Sequence, residues 1–523
     1  MPKIVVLGGG ESGCGAAVLA RVKGFDVFLS DMGVIAPKYK ALLAEWNVPY
    51  EEGQHTAGRI LDADRVVKSP GIPDKAPMMK AVRERGIPVE SEIEFAAPYT
   101  SARTICVTGS NGKTTTTTLT YEILRHAGAN VALGGNIGRS FALSVATERR
   151  DWYVIELSSF QLDGCYDFRA DIGVLTNITP DHLDRYEYRL QNYVDSKFRI
   201  LRNQRPQDCF IYCADDPLTL ENLPKHPLSM RTLPFSVRRG DCAAVLRDGT
   251  IRAEAAGRRL EIPVSELRIK GMHNTYDAMA AVLAALSAGI EPDAILPTLR
   301  SFEGVEHRLE PCGEIDGVEY VNDSKATNVD SVWYALESMT RPVVWIAGGT
   351  DKGNDYSRLY DLAGAKVKAL VCMGVDNEKL IRAFDGRIPR IEDTHSRWLR
   401  RGLRLPPAIR CCFRRLARAS TCSRITRNGG VSSRSGWRRS RRNTVDDSRT
   451  GARLPEAGGP TGRNVRIVRT GRIFRIRSLP AERTGCGPEK RCPGARLAVV
   501  RIRPGRFSVR MGAAALPGTR TRN

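Results

Sequence analysis

The stretch VTGSNGKTTTTT, residues 107–118, follows the apolar segment TIC at 104–106 and leads into LTYEILRH. It contains a glycine, two residues and then Gly-Lys-Thr, whereas the usual phosphate-binding loop has four residues between its glycines. A strand before such a loop and a helix after it are the context that phosphate binding requires, because the turn amides and the positive helix end then face an anion. The stretch predicts a nucleoside triphosphate site, and the alternative is a glycine turn with a surface lysine.

Strands and helices alternate on both sides of this loop, which predicts an α/β protein with three domains. Residues 1–100 begin with the strand KIVVL, a glycine turn, an Ala/Val/Leu helix and the strand FDVFLSD. Residues 101–303 contain the phosphate loop. Residues 304–396 form a partial third domain with the segments VEYVND, VDSVWYALESM and PVVWIAGG.

The first glycine turn has its own ligand signal. Gly8, Gly10 and Gly13 fit the spacing of a dinucleotide-binding loop, and Asp31 ends the next strand at the place of a ribose ligand. These residues alone leave a nicotinamide cofactor and another phosphate-bearing ligand as equal alternatives. A nicotinamide-dependent dehydrogenase would not explain the second phosphate loop at 107–118.

The basic charge of the chain is confined to one region. The net charge is +22, and residues 397–523 contain 33 of the 80 basic residues but only 5 of the 58 acidic ones. All but one of these cations are arginine, and periodic patterning is lost. The composition favours a frameshift product and a disordered tail after residue 396. An arginine-rich RNA-binding tail is the functional alternative, and otherwise no nucleic-acid partner is expected.

A change of reading frame gives a specific sequence in this region. When suitable codons are chosen for Cys412–Arg427, reading from the third base gives LSPACASFDLFANYA. Freedom in the choice of codons accounts for part of this result. The shifted segment nevertheless reads as ordinary protein sequence.

The remaining composition predicts a soluble cytoplasmic protein. Its 13 cysteines lack the paired spacing of a zinc site, and the apolar run near the N-terminus is short and interrupted by glycine. No segment has the roughly 18 consecutive apolar residues of a membrane span. We therefore expect free thiols in a reducing cytosol and no membrane partner.

Three side chains indicate metal or catalytic chemistry. Glu156 ends the apolar strand WYVIE, where a buried carboxylate needs a partner such as Mg²⁺. In NITPDHLDRY, Thr179 is predicted to cap and Pro180 to open a helix, which places His182 in the first turn. Lys197 lies on the predicted helix YVDSKFRIL. Taken singly, His182 is more typical of a structural histidine and Lys197 of a solvated lysine.

Taken together, these residues suggest two metal positions. Mg²⁺ prefers oxygen ligands, so a histidine close to it indicates a second and unusual metal position. A carboxylated lysine would supply the missing oxygen ligands.

Eight segments, in this order and spacing, resemble the Mur ligases. They are TGSNGKT (108–114), GGNIG (134–138), ELSSFQL (156–162), NITPDHLDRY (177–186), SKFRI (196–200), GMHN (271–274), EHRLE (306–310) and NDSKATN (322–328). The resemblance covers residues 1 to about 396. NDSKATN distinguishes the D-glutamate-adding branch, because sister ligases, the alternative within the family, differ there.

The resemblance implies a fold and an activity. The fold is a Rossmann-like N-terminal domain that binds UDP, a central P-loop ATPase-like domain and a truncated, Rossmann-like C-terminal domain. The activity is an ATP-dependent ligation of D-glutamate to UDP-N-acetylmuramoyl-L-alanine through an acyl phosphate, in cytoplasmic peptidoglycan precursor synthesis. Two Mg²⁺ ions, small-molecule substrates only and a monomeric enzyme are also implied.

Site residues follow from matching positions. ATP would contact Gly109, Ser110, Asn111, Gly112, Lys113, Thr114, Thr115, Asn274, Arg308, Asp323 and Lys325. The metal ions would involve Thr114, Glu156, His182 and Lys197, of which Lys197 resembles the family's carbamylated lysine. The other substrates would contact Gly10, Ser12, Asp31, Ser69, Gly71, Asn136, Ser158, Gln161, Thr327 and Lys352. The catalytic residues implied are Lys113, His182 and Lys197.

The sequence departs from the family in two places. Asp277 stands where the family usually has Asn, which affects a packing contact or a hydrogen bond near adenine. Family members end with a segment similar to SPACASFD that cradles D-glutamate. The 523-residue chain as given, called the written chain below, contains this segment only in the shifted reading of Cys412–Arg427. We therefore expect the written chain to bind nucleotide poorly or to misfold.

Overall fold

The computed structural model describes residues 1–315, 317–349, 354–373 and 376–393, together with the backbone of six short strands beyond residue 403. Two compact units are present, Met1–Val305 and Glu306–Asn523. Among the described residues, no helix combines the length and the apolar character that crossing a membrane requires.

The first part of unit Met1–Val305 is a parallel sheet with helices on both faces. Its strands are β1 Lys3–Leu7, β2 Asp26–Asp31, β3 Tyr50–Glu52, β4 Arg65–Lys68 and β5 Val89–Glu90, in the order β3-β2-β1-β4-β5. Its helices are α1 Glu11–Val22, α2 Pro37–Glu45, α3 Ala57–Ile60, α4 Pro77–Glu84 and α5 Glu92–Ala96. The order reverses at β1, so the carboxyl ends of β1 and β4 flank the crevice where such sheets bind ligands.

The glycine turn after β1 needs its glycines for close contacts. Gly8 has φ +101°, and a Cβ on Gly13 would lie 1.9 Å from the carbonyl oxygen of Gly8. Helix α1 can therefore begin directly against the end of β1. The dinucleotide-like spacing in the sequence predicts this geometry, which the structure confirms.

The second part of this unit is a nine-stranded sheet. Its strands are β6 Arg103–Thr108, β7 Val131–Gly135, β8 Trp152–Glu156, β9 Ile172–Leu175, β10 Cys209–Cys213, β11 Arg231–Ser236, β12 Ala244–Arg247, β13 Thr250–Ala255 and β14 Arg258–Pro263. The order is β14-β13-β12-β11-β10-β9-β6-β8-β7. Strands β6 to β12 run parallel, and β13 and β14 extend the sheet as antiparallel strands.

Helices cover this sheet on both faces. They are α6 Lys113–His126, α7 Phe141–Thr147, α8 Ser159–Leu162, α9 Leu190–Phe198, α10 Pro217–Asn222, α11 Met272–Ser287 and α12 Pro292–Ser301. Residues Ala278–Leu286 of α11 are fully buried and apolar, so this helix lies inside the domain and not at its surface. It packs against α6, the helix that follows the phosphate loop.

The two sheets of unit Met1–Val305 are joined by buried contacts. Helix α1 packs on α7, and a Cβ on Gly15 would lie 1.8 Å from Ser140 Oγ. The Glu94 carboxylate accepts hydrogen bonds from three successive backbone amides, at residues 166–168, over 2.8 to 2.9 Å. The fully buried Glu92 accepts hydrogen bonds at Oε1 from the Ser140 hydroxyl and from the Ala142 amide (2.9 Å).

The Glu92 carboxyl makes the stability of the contact between the two sheets depend on pH. Its Oε2 is buried without a hydrogen-bond partner, and burial raises the pKa of Glu92 to about 6 from an ordinary value of 4.5. The unfolded chain loses this proton at lower pH than the folded protein does. Stability from this group is therefore complete below the ordinary pKa and is lost as the pH rises through about 6.

Replacing Glu92 with Gln should remove this pH dependence. Relative to the parent protein, the free energy of unfolding of Glu92→Gln should rise by about 2 kcal/mol between pH 4.5 and neutral pH. Urea unfolding followed by tryptophan fluorescence measures it. The exposed Glu84 provides the matched control, since Glu84→Gln should show no such change. A constant difference between Glu92→Gln and the parent across this range would contradict the expectation.

Unit Glu306–Asn523 contains a six-stranded sheet. Its strands are β15 Glu310–Ile315, β16 Val318–Asn322, β17 Val343–Ala347, β18 Val367–Cys372, β19 Ile391–Asp393 and, from further along the chain, Arg410–Phe413. Its helices are α13 Val329–Ser338, α14 Tyr360–Lys366 and α15 Glu378–Phe384. The segments VEYVND, VDSVWYALESM and PVVWIAGG contain β16, α13 and β17, as the sequence predicts.

A strand from the arginine-rich region lies inside this sheet. After β20 Arg404–Leu405, strand β21 Arg410–Phe413 pairs in parallel with β16 on one side and with β17 on the other. From sequence, this segment is predicted to belong to the tail and not to a domain. Its backbone connects two halves of the sheet that do not otherwise pair directly, in the order β15-β16-β21-β17-β18-β19.

The other described strands of the tail form two small sheets. They are β22 Asn464–Arg469, β23 Arg472–Arg477, β24 Leu497–Arg503 and β25 Arg506–Gly512. Strands β22 and β23 form an antiparallel pair, and β24 pairs with β20 and β25. The predicted disorder of the tail concerns residues that mostly lie outside the described part of the chain.

Candidate nucleotide-binding active site

The phosphate loop joins β6 to α6 at the carboxyl end of the central sheet. Gly109 and Gly112 have φ values of +144° and +82°. A Cβ on Gly109 would lie 1.9 Å from Thr176 Oγ1, and one on Gly112 would lie 2.2 Å from Asp277 Oδ1. Both positions require glycine for space and for conformation. The predicted strand, turn and helix beginning at Lys113 are confirmed.

The segment after β9 fixes the shape of this loop. The Ser110 amide donates to Asn177 O at 2.9 Å, and the Asn111 amide donates to Asn177 Oδ1 at 2.9 Å. The Ser110 hydroxyl donates to Thr179 O at 2.8 Å. These two amides are therefore used within the protein, and the amides at the beginning of α6 stay the predicted anion contacts. Thr114 and Thr115, in that first turn, are buried.

Two lysines meet at one carbonyl oxygen of the loop. Lys113 Nζ donates to Gly109 O at 2.7 Å and to Ser110 O at 3.0 Å. Lys197 Nζ donates to the same Gly109 O at 2.6 Å. Lys197 is 1% exposed, and its Nζ lies 4.5 Å from the ring centroid of Tyr193, one turn earlier on α9. The structure therefore brings together two residues predicted to be catalytic.

The buried position changes the proton affinity of Lys197. Burial and then the neighbouring Lys113 ammonium lower the pKa of Lys197 well below its ordinary value. The carboxylates of Asp181, Asp163 and Glu156 act in the opposite direction. Lys197 is thus not the solvated lysine that its helix alone suggests. A lowered pKa increases the fraction of neutral, nucleophilic amine.

Glu156 stands beside the phosphate loop with one unsatisfied oxygen. It is the last residue of β8, where it pairs with Val107 of β6, and it is 1% exposed. Its Oε1 accepts a hydrogen bond of 2.6 Å from Asn136 Nδ2, whereas its Oε2 is buried without a hydrogen-bond partner. A buried, unsatisfied carboxylate oxygen requires an explanation, and a bound cation is one.

Ser158 and Gln161 fix the start of α8 next to this carboxylate. They form a capping box, in which Ser158 Oγ accepts from the Gln161 amide at 3.3 Å and Gln161 Oε1 accepts from the Ser158 amide at 3.0 Å. Gln161 Nε2 is buried without a hydrogen-bond partner. Of the two predicted substrate contacts, Gln161 therefore retains a donor group for a ligand.

The predicted helix around His182 is wrong. His182 has φ +54° and precedes a single 3₁₀ turn, Leu183–Arg185. Pro180 opens no helix, and Thr179 bonds to the phosphate loop instead of capping one. Local sequence favours a helix here, but the contacts of this segment with the loop override that preference.

The ring of His182 lies among aromatic and acidic side chains. Its centroid is 5.2 Å from that of Phe160 in an edge-on arrangement, and its Nε2 is 3.6 Å from Asp181 Oδ2. Within the part of the chain that the structure describes, no three His, Cys, Asp or Glu side chains are close enough to hold a metal ion. The metal roles of Thr114, Glu156, His182 and Lys197 stay predictions.

Asp277 lies behind the phosphate loop. It is buried on α11, and its Oδ1 accepts a hydrogen bond of 3.3 Å from Thr116 Oγ1 on α6. Asn274, the predicted adenine contact, is half-buried in the first turn of α11, where its Nδ2 donates to Lys270 O at 2.8 Å. The departure from Asn at position 277 thus places a carboxylate against the turn at Gly112.

The predicted UDP residues surround the first glycine turn. Gly10 precedes α1 and is exposed, and Ser12 lies in the first turn of α1. Asp31 Oδ2 accepts from the Gly9 amide at 2.5 Å, and its Oδ1 accepts from the Gly33 amide at 2.6 Å. The Asp31 carboxylate therefore orders two turns, a role beyond the ligand contact that the sequence predicts.

The second unit contains the remaining predicted residues. Asp323 is buried and accepts a hydrogen bond from the Leu309 amide at 3.2 Å, and Arg308 lies in the same turn before β15. Lys325 is exposed, and Thr327 is half-buried between β16 and α13. Lys352 lies outside the described residues.

Sequence reasoning missed two residues of this site. Tyr193 OH lies 3.0 Å from Ser110 Oγ, and its ring lies under the Lys197 ammonium. Asn177 accepts hydrogen bonds from two backbone amides of the loop. The four-residue spacing between Tyr193 and Lys197 was the available signal, since it places both on one face of a helix. A buried tyrosine on such a helix is more often part of the core.

Comparisons with known proteins match all three domains. The Mur ligase MurD-like N-terminal domain matches residues 2–91, the Mur ligase middle domain 107–285, and the Mur ligase glutamate ligase domain 307–399. The UDP-N-acetylmuramoylalanine--D-glutamate ligase of Bacteroides fragilis is 54% identical over 387 residues, which cover 74% of this chain and 87% of that protein. The chain belongs to the Mur ligase family.

Other Mur ligases extend this relationship. Proteins with the same name from Porphyromonas gingivalis and Chlorobium phaeobacteroides are 51% identical over 399 residues and 42% identical over 403 residues. The matches cover 75% and 74% of this chain, and 88% and 87% of those proteins. The resemblance noted in the sequence is therefore confirmed.

Solved Mur ligase structures share the fold at low sequence identity. The UDP-N-acetylmuramate-alanine ligase of Thermotoga maritima is 20% identical with a TM-score of 0.56, and it matches 83% of this chain and 100% of that chain. A murein peptide ligase of Psychrobacter arcticus is 19% identical with a TM-score of 0.51, over 80% of this chain and 96% of that one. These structures support the three-domain α/β architecture of the Mur ligases.

Proposed function

We propose that this chain is built as an ATP-dependent ligase that joins D-glutamate to UDP-N-acetylmuramoyl-L-alanine through an acyl phosphate. The family match and the relatives at 42 to 54% identity support this reaction. The observation that carries the proposal is the meeting of Lys113 and Lys197 at Gly109 O, beside the buried Glu156. We also propose that the three domains end at residues 100, 303 and 396, as predicted from the sequence.

The arrangement suits phosphoryl transfer to a carboxylate. A carboxylate is a poor acyl donor, so it first attacks the terminal phosphorus of ATP, which releases ADP and gives an acyl phosphate. The amine of D-glutamate then attacks the acyl carbon, and the tetrahedral intermediate expels phosphate as the amide forms. Both steps bring anions together, and Lys113, at the beginning of α6, would offset their charge.

The residues fit a divalent cation at Glu156. Its Oε2 is buried and lacks a hydrogen-bond partner, and carboxylate oxygens are preferred ligands of Mg²⁺. Glu156 would hold the ion, together with the Thr114 hydroxyl. A bound Mg²⁺ supplies charge neutralisation for the phosphates of ATP. We propose two ions, the second near His182, as the family resemblance implies.

Lys197 is proposed as the site of carbamylation. A neutral lysine amine adds to CO₂, forms an N–C bond and releases one proton, which leaves a carbamate anion. The lowered pKa of Lys197 favours the neutral amine that this step requires. The modification would replace a buried cation with oxygen atoms beside the phosphate loop.

An acceptor comparison tests the proposed reaction. Phosphate release from ATP is measured with UDP-N-acetylmuramoyl-L-alanine and either D-glutamate or another amino acid, such as L-alanine. The protein used is the frame-restored chain, in which the reading frame is corrected near Ser396. It should release phosphate only with D-glutamate and should yield a new amide detectable by mass spectrometry. Equal turnover with L-alanine, or none with D-glutamate, would contradict the assignment. We propose a cytoplasmic monomer, which size-exclusion chromatography with light scattering can test.

A further inference from the structure

A short turn of the N-terminal sheet lies directly against its glycine loop. The Ile72 amide donates to Ser69 O at 3.1 Å, which closes the turn after β4. A Cβ on Gly8 would lie 2.5 Å from Ser69 Oγ, and one on Gly13 would lie 3.1 Å from the same atom. Ser69 therefore borders the beginning of α1, where backbone amides attract an anion.

A cation from the central domain reaches this turn. Arg185, at the end of the 3₁₀ turn, donates from Nη2 to Pro70 O at 3.4 Å and to Ile72 O at 3.3 Å. Its Cζ lies 4.4 Å from the ring centroid of Phe160. The aromatic ring and the two carbonyl oxygens hold the guanidinium in one orientation.

The guanidinium retains unused donors. Among the described residues, Arg185 has no carboxylate partner, and its side chain donates hydrogen bonds only from Nη2. Its Nε and Nη1 groups therefore have three N–H donors left. Lys68 adds a second cation, since its Nζ donates to Ile72 O at 3.0 Å, but Asp74 offsets it at 3.4 Å. The uncompensated positive charge at this turn is that of Arg185.

The backbone around Arg185 is strained. His182, Glu187 and Tyr188 have φ values of +54°, +55° and +57°, which are uncommon for residues other than glycine. Such conformations persist where surrounding contacts enforce them, and they concentrate at ligand sites. The strain flanks the single turn that presents Arg185 to the N-terminal sheet.

We propose that Arg185 is a substrate-binding residue, whose free N–H groups donate hydrogen bonds to a phosphate oxygen of the nucleoside diphosphate held between the Ser69 turn and α1. This inference rests on the proposed function, because it assigns a contact to the UDP-linked substrate. Arg185 would then recognise the diphosphate from the central domain, opposite the amides of α1. The same residue would tie substrate binding to the contact between the two domains of unit Met1–Val305.

Binding to the frame-restored chain, the parent in this experiment, tests this inference without ligase turnover. UDP, uridine and ATP are titrated by calorimetry or ligand-observed NMR against the parent chain, Arg185→Gln and Arg185→Lys. Arg185→Gln should weaken UDP binding on the order of 10-fold or more, and leave uridine and ATP binding unchanged. Arg185→Lys should recover only part of the loss, because an ammonium lacks the planar fork. UDP affinity should depend less on salt in Arg185→Gln.

Arg103 provides a matched control, since its Cζ lies 4.3 Å from the ring centroid of Trp152 at the opposite end of the sheet strands. Arg103→Gln should bind all three ligands like the parent. Equal weakening of UDP and uridine by Arg185→Gln would assign Arg185 a purely structural role and overturn the inference. Unchanged UDP binding in Arg185→Gln would overturn it while leaving the proposed function intact. A parent chain that binds ATP but neither UDP nor uridine would overturn both.

Discussion

Replacing Lys113 with alanine in the frame-restored chain should lower ATP-dependent amide formation on the order of 10³-fold. Lys113 is the first residue of α6, and its Nζ donates hydrogen bonds to two carbonyl oxygens of the loop that precedes it. From there it can turn to the β and γ phosphates, whose charge increases at the terminal group during transfer. Phosphate release at saturating substrates measures this loss.

The exposed Lys80 on α4 provides the control for this change. Lys80→Ala should retain parent turnover, because it removes the same charge far from the loop. The melting temperature of Lys113→Ala should stay close to that of the parent, since the two carbonyl oxygens that Lys113 Nζ contacts belong to its own loop. Parent turnover in Lys113→Ala would refute the nucleotide site and the ligase assignment with it.

Restoring the reading frame near Ser396 should raise turnover by on the order of 10³-fold or more over the written chain. The expected cause is better positioning of D-glutamate, because the shifted reading supplies the SPACASFD-like segment that the family resemblance associates with this substrate. The matched region covers 87% of the Bacteroides fragilis relative, and the rest of that protein is not matched by this chain. Coupled phosphate release compares the two proteins directly.

A chain that ends at Ser396 is a control with two purposes. It lacks the SPACASFD-like segment, and it also lacks the arginine-rich sequence, so it shows whether the arginine-rich sequence itself lowers activity. It should be as inactive as the written chain, because both lack the same segment. It also lacks β21, so its third sheet should be less stable than that of the written chain. Normal D-glutamate ligation by the written chain would contradict the frameshift hypothesis.

The main features of the phosphate loop follow from local sequence. An apolar strand, two glycines and a helix beginning at Lys113 are each fixed by residue type, and each is found where the pattern predicts it. Glu156 is predicted for the same reason, because a carboxylate at the end of an apolar strand stands out. Such features need no knowledge of distant contacts.

The features that sequence did not predict depend on distant contacts. The segment at His182 reads as a helix, but bonds to Ser110 and three left-handed residues give a single 3₁₀ turn. Tyr193 reads as part of the core, and only the fold places its hydroxyl at the phosphate loop. Strand β21 pairs with strands far from it in sequence, and nothing in its own residues indicates a central position.

The close approach of α1 and α7 at Gly15 limits how this protein can recombine with its relatives. A Cβ at this position would meet the Ser140 side chain within 1.8 Å, so the glycine and the serine act as a matched pair. A chimera that takes its N-terminal domain from one species and its central domain from another inherits only half of that pair. Exchange is therefore tolerated when both partners are small, and the first two domains are expected to be inherited together.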